Sequence, residues 1–175
     1  MKKIVIALFI VLVGLGVLSA PASAAPYCGI TWGSLPKSGG AMSTGPLTNI
    51  RTGRHDCFDR MVFDFRTGSA GYNVKYVSNV YADGSGTLVP LAGGAKLQVI
   101  ALAPAYDSNG SATYPGVVGS SLPGVNIAGY QTFRDAKYAG SFEGQTTIGL
   151  GVRAKLPFRA FTLDNRLVVD VAHKW

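Results

Sequence analysis

Apolar and polar positions alternate along much of the chain with a period of two, the pattern of strands that bury one face. Residues 58–66 are the clearest case, with Met61, Phe63 and Phe65 on one face and Arg60, Asp64 and Arg66 mainly on the other. Residues 72–81 form a second run, in which Tyr72, Val74, Tyr76 and Val80 alternate with Asn73, Lys75 and Asn79. Asp83-Gly84-Ser85-Gly86 then ends it with turn residues. Further strands are predicted over 96–102, 129–133, 138–142 and 146–152, the last bringing Thr146, Ile148, Leu150 and Val152 onto one face. At the C-terminus, 158–163 and 166–172 flank Asp164-Asn165, residue types that tolerate the positive φ of a tight hairpin turn. No window sustains a 3.6-residue period, so little helix is expected. The pattern predicts an all-β fold, an antiparallel β-sandwich or flattened barrel.

Two stretches break the pattern. Residues 25–49 carry Gly39-Gly40 and Gly45-Pro46 and no periodicity, and their one apolar knot is Tyr27-Cys28-Gly29-Ile30-Thr31-Trp32. We therefore expect an irregular N-terminal arm over 25–45 and a β-domain over 46–175. Residues 104–126 turn to Pro, Gly, Ser, Asn and Tyr. A loop of that length reads as a surface insertion, with a binding loop as the rival.

The first residues have a different character. Met1-Lys2-Lys3 is a positive start, residues 4–18 are hydrocarbon and glycine, and Ala22-Ser23-Ala24 fits a small-x-small cleavage site. The apolar run falls short of the ~20 residues of a membrane span. It predicts a cleaved secretory signal over 1–24, a secreted, extracytoplasmic protein, and no integral membrane segment after cleavage. Cys28 lies too far from the cleavage point for a lipoprotein.

The remaining composition narrows the class. A chain of 175 residues with 47% hydrophobic and 14% charged residues is too apolar for disorder. Removing Lys2 and Lys3 takes 16 basic residues to 14 against 9 acidic, a net charge of +5. The ~150 residues left suffice for one independent core. No Lys/Arg run exceeds isolated residues, so nucleic acid is a poor match for the charge, and an anionic wall polymer or membrane surface suits the compartment better.

In an oxidising compartment the two cysteines, Cys28 and Cys57, read as a disulfide that ties the arm to the first strand. The rival is a thiol nucleophile at Cys57 with His55 or His173 as base. No phosphate-binding loop, nucleophile elbow, zinc-protease or paired CxxC motif is present, so no cofactor is expected. Glu143 is the only glutamate, and no spacing singles out a partner carboxylate for glycoside hydrolysis. A zinc site would have to recruit His55, His173, Cys28 and Cys57 together, leaving no disulfide, so no metal is expected.

The densest charge lies in Arg51-Thr52-Gly53-Arg54-His55-Asp56-Cys57-Phe58-Asp59-Arg60, with Arg66 beyond. Guanidinium groups take carboxylates bidentately, so this edge could grip the acidic peptide stems of a wall polymer. The alternative is that Asp59 and Arg60 pair with neighbouring strands and the rest is a solvated turn. Candidate binding residues are Arg51, Arg54, His55, Asp59 and Arg60, with Tyr72, Tyr76 and Tyr81 as exposed aromatics.

The segment Ile50-Arg51-Thr52-Gly53-Arg54-His55-Asp56-Cys57-Phe58-Asp59-Arg60-Met61-Val62-Phe63-Asp64-Phe65, with the terminal Arg166-Leu167-Val168-Val169-Asp170-Val171-Ala172-His173, resembles the opening and closing strands of the AMIN-like domain of exported proteins from high-GC Gram-positive bacteria. The similarity spans roughly 46–175, through Phe142-Glu143-Gly144 and 146–152. It implies a small β-sandwich related to AMIN domains, which direct partners to peptidoglycan, and hence a non-catalytic module. Where the family tends to have Gly before Phe-Asp-Arg, this chain has Cys57, consistent with a disulfide to the added arm.

These readings predict an envelope-binding or targeting module, not an enzyme, that recognises peptidoglycan, an associated polymer or an envelope protein, alone or through a partner. The alternatives are a small secreted hydrolase using Cys57 or a carboxylate, and a structural or interaction domain without wall affinity.

Overall fold

The computed structural model describes residues 26–175. The expected signal over 1–24 lies outside them. The alternating segments form strands β1 (Lys37–Gly39), β2 (Leu47–Arg54), β3 (Phe58–Phe65), β4 (Gly71–Val77), β5 (Val80–Tyr81), β6 (Leu88–Val89), β7 (Ala95–Leu102), β8 (Phe133–Phe142), β9 (Gln145–Val152), β10 (Phe158–Leu163) and β11 (Arg166–Ala172), with no helix among the described residues. They build an antiparallel five-stranded sheet, β1-β4-β7-β9-β8, a four-stranded sheet, β10-β11-β3-β2, and the small pair β5-β6.

The two larger sheets face each other as an open sandwich, not a closed barrel. Met61, Phe63, Phe65, Leu167, Val169 and Val171 point inward from one sheet and meet Val74, Leu97, Val99, Ile148 and Leu150 from the other. Along one edge Tyr72 and Tyr76 reach across: their hydroxyls donate to the carbonyls of Ala160 at 2.9 Å and Leu156 at 2.6 Å. The first of these bonds occupies a backbone acceptor on the edge strand β10, and the second one in the loop that leads into it. Burial pushes the Tyr76 hydroxyl up to about 12.

The C-terminal hairpin forms as the sequence predicts, with Leu163 opposite Arg166 and Asn165 at φ 56°. Four segments differ. The arm is not wholly irregular, since β1 pairs with β4. The expected run over 72–81 divides after Val77, and Val80 turns into a small second core with Ala82, Val89 and Ala139. That layer lies against β9, where a Cβ on Gly149 would meet Leu91 at 2.7 Å. The strand expected over 129–133 is a turn leading into β8, because the backbone N–H groups of Thr132 and Phe133 donate to the Asp59 carboxylate and are lost to a ladder. β2 was hidden by a bulge between Leu47 and Asn49, which breaks the alternation.

The long connection from β7 to β8 is anchored by buried side chains. Tyr114 and Leu122 pack into the core, and the Thr113 hydroxyl donates to the Leu47 carbonyl at 2.7 Å. Among the described residues no helix is long and apolar enough to cross a membrane.

Candidate functional site: the outer face of the four-stranded sheet

The alternation that sends Met61, Phe63 and Phe65 inward sends Phe58, Arg60, Val62 and Asp64 outward on β3. Antiparallel register then fixes their neighbours. Gly53, Arg60, Asp170 and Arg159 form one row across the sheet; Arg51, Val62, Val168 and Phe161 form the next; Asn49, Asp64, Arg166 and Leu163 form a third. Four arginines and two aspartates share this face, an excess of two positive charges.

Each aspartate is held between two arginines. Asp64 accepts from Nε of Arg51 at 2.9 Å and lies 3.4 Å from Nε of Arg166, with Asn49 as a further donor. This group is open to water, the Arg51 and Arg166 side chains being about half exposed, so it contributes little to stability and is free to exchange partners. Asp170 is different, for its side chain is fully buried and both Arg60 and Arg159 reach it at 2.7 Å. A carboxylate so buried is tolerable only with such partners. The bond to Asp170 raises the Arg60 guanidinium above its ordinary value, against the opposing effect of burial.

Between the two groups lies a shallow cavity of about 270 Å³, floored by Val62 and Val168 and walled by Arg51, Arg60, Arg166 and Leu163. Gly53 places no side chain beside Arg60, and His55 Nε2 comes within 3.7 Å of where a Cβ there would stand. Arg51 and Arg60 spend Nε and Nη2 on their aspartates, and among the described residues their Nη1 atoms make no hydrogen bond to protein, so both guanidinium groups that line the cavity retain donors. An apolar floor rimmed with unspent guanidinium donors suits an extended anion.

Aromatic rings continue the face beyond Asp170. Arg159 lies 5.3 Å from the Phe58 ring, 5.0 Å from Phe161 and 5.4 Å from Trp32, and Arg60 lies 5.1 Å from Phe58. Trp32 belongs to the N-terminal arm and is held there by the Cys28–Cys57 disulfide, whose Cα atoms are 6.4 Å apart. Cys57 is therefore not available as a nucleophile, which removes the thiol version of the hydrolase reading; there is no free cysteine among the described residues. No group of three or more His, Cys, Asp or Glu side chains among these residues could hold a metal ion.

The sequence candidates divide between separate places. Arg51 and Arg60 stand on the cationic face. His55 stacks on Phe58 at 4.5 Å and lines the edge of the cavity. Arg54 points to the end of the sandwich, where Nη1 donates to the Gly129 carbonyl at 3.3 Å. Asp59 is fully buried and is not a surface contact: it accepts from Thr132 N, Phe133 N and Nε2 of His173 at 3.1 Å. Tyr72 and Tyr76 are half-buried on the opposite sheet, with their hydroxyls spent on backbone carbonyls. Tyr81 alone of the three is exposed, at 50%, and it belongs to the β5-β6 layer. None of the three tyrosines joins the arginines.

Arg159, Arg166, Asp64 and Asp170 complete the face and were not among the sequence candidates. The signal for Asp64 was the outward phase of β3; that for Arg159, Arg166 and Asp170 was the outward phase of the C-terminal hairpin, but only long-range pairing of β11 with β3 brings these three beside Arg51 and Arg60.

The fold and this face make an all-β domain with an open, arginine-rich sheet surface. Residues 45–173 match the AMIN-like domain, and the chain belongs to that family. Neither the curated proteins nor the solved structures gave a match.

Proposed function

We propose that this protein is a non-catalytic cell-envelope targeting module that binds an anionic cell-wall polymer, peptidoglycan or a polymer attached to it, through the outer face of the four-stranded sheet. The observation that carries the reading is the pair of arginine-bridged aspartates around a shallow apolar floor, with guanidinium donors left over. Such donors take carboxylate or phosphate groups in a planar, two-point geometry. Membership in the AMIN-like family supports an envelope role, and the disulfide supports a location outside the cytoplasm.

The experiment is co-sedimentation with purified wall sacculi. Binding at low ionic strength that weakens as salt screens the exposed Arg51 and Arg166 supports the reading. Absence of binding at low salt overturns it.

A further inference from the structure

The two tryptophans of this chain, Trp32 and Trp175, line the same small pocket, 143 positions apart in sequence. Tyr27, Ile30 and Pro26 of the arm complete it over Pro157, and its volume is about 110 Å³. All of these residues except Pro157 lie outside the segment that matches the family. The disulfide brings the arm into place, and the indole N–H of Trp32 donates to the Tyr27 backbone carbonyl at 2.8 Å, tying the indole to the arm's own backbone. Trp175 is 71% exposed.

Two of its rings each lie near a cation. Arg159, part of the arginine face, lies 5.4 Å from the Trp32 ring, and Nζ of Lys174 lies 5.0 Å from the Tyr27 ring. Lys174 has no carboxylate within ion-pair distance among the described residues. The pocket is too small to enclose a whole monosaccharide. It is the right form for one face of a ring laid across indole, where C–H groups meet the negative face of the aromatic system and hydroxyls stay at the wet rim. A sugar ring that carries an acidic substituent would meet Lys174 or Arg159 at the same time.

We propose that this pocket is a seat for one sugar ring of an acidic glycan, continuous with the arginine face, so that the ligand is a charged polysaccharide and not a bare polyanion or an acidic peptide. The inference rests on the arginine face binding an anionic polymer and adds the chemical class of that polymer.

The test compares two probes of matched charge on the intact protein, oligogalacturonate and poly-glutamate, with affinity read by calorimetry. Because the chain's tryptophans are both at the pocket, their fluorescence reports its occupancy directly. The expected result is that oligogalacturonate binds about tenfold or more tightly than poly-glutamate and shifts the tryptophan emission. Trp175→Ala, a change at an exposed terminal residue, should cut glycan affinity by about tenfold and leave poly-glutamate binding unchanged. Equal affinity for both polymers overturns the sugar seat while leaving the arginine face intact. So does full glycan affinity in Trp175→Ala. If neither polymer binds, the arginine face and the sugar seat fall together.

Discussion

Arg60 and Arg159 close on a single carboxylate from the two strands that flank it, each placing Nε 2.7 Å from an oxygen of Asp170. Neither arginine is therefore a loose surface charge. Their planes are held upright by Asp170 and by Phe58 and Phe161, which fixes where the remaining guanidinium donors stand. Arg51 and Arg166 share the partly exposed Asp64 in the same way but with greater freedom.

Asp170→Asn should consequently destabilise the fold, because it leaves two partly buried arginines facing each other without their shared counter-charge. A loss of roughly 3 kcal/mol is expected in urea unfolding at neutral pH. Asp64→Asn, at the counterpart whose arginines are half exposed, should cost less than about 1 kcal/mol. Equal effects at the two positions would contradict the distinction drawn between them.

Asp59 organises the turn before β8 by accepting two backbone N–H groups and the His173 ring. Asp59→Ala orphans two buried donors and should cost about 3 kcal/mol, whereas Asp59→Asn retains an acceptor oxygen and should cost visibly less. Hydrogen exchange at Thr132 and Phe133 should rise in the alanine variant. Unchanged protection at both amides would show that the carboxylate does not hold this turn.

Replacing both cysteines by serine opens a loop of about 30 residues and should lower stability by roughly 3–4 kcal/mol in the chain-entropy account. The native protein should titrate no free thiol. The serine variant should also show altered tryptophan emission, since Trp32 loses its tether beside Phe58. Normal stability with unaltered emission would contradict a structural role for the bond.

Asp83 supplies a pH signature. Burial, against two bonds from Thr147, raises its carboxyl above the ordinary value of 3.8, and one of its oxygens has no partner. A carboxyl raised on folding contributes stability at pH below its unfolded value, and that contribution is lost as pH rises through the folded value. The stability of Asp83→Asn relative to the parent should therefore increase between pH 3 and pH 7, as measured by paired urea titrations. A constant difference across that range would refute the assignment.

Much of the fold was legible because burial on one face imposes a period of two that a single strand displays by itself. The phase of β3, read from Met61, Phe63 and Phe65, placed Arg60 and Asp64 outward correctly. The C-terminal hairpin could be read because Asp164-Asn165 names its own turn. β2 could not, since a bulge at Leu47/Asn49 disturbs the period of an edge strand whose outer residues are polar. The site was legible only in part. Arg51, Arg60 and Asp64 lie close in sequence, but Asp170, which holds Arg60, and the arginines that complete the face, Arg159 and Arg166, come from long-range pairing with the C-terminal hairpin. Asp59 looked like a surface charge because nothing local reveals that the backbone of Thr132, 73 positions away, supplies its partners. Tyr72 and Tyr76 looked like exposed platforms because a strand's pattern gives its phase but not what lies beyond its edge.

The claim that the arginine face is the binding surface is tested most directly by co-sedimentation with purified wall sacculi, comparing the parent with Arg51→Ala/Arg166→Ala. Both side chains are about half exposed and make only surface ion pairs, so the variant should remain folded, as its thermal unfolding will show. The parent should sediment with the sacculi at low salt and be released as salt rises, and the folded double variant should stay in the supernatant. Sedimentation of the folded variant equal to that of the parent would contradict the account.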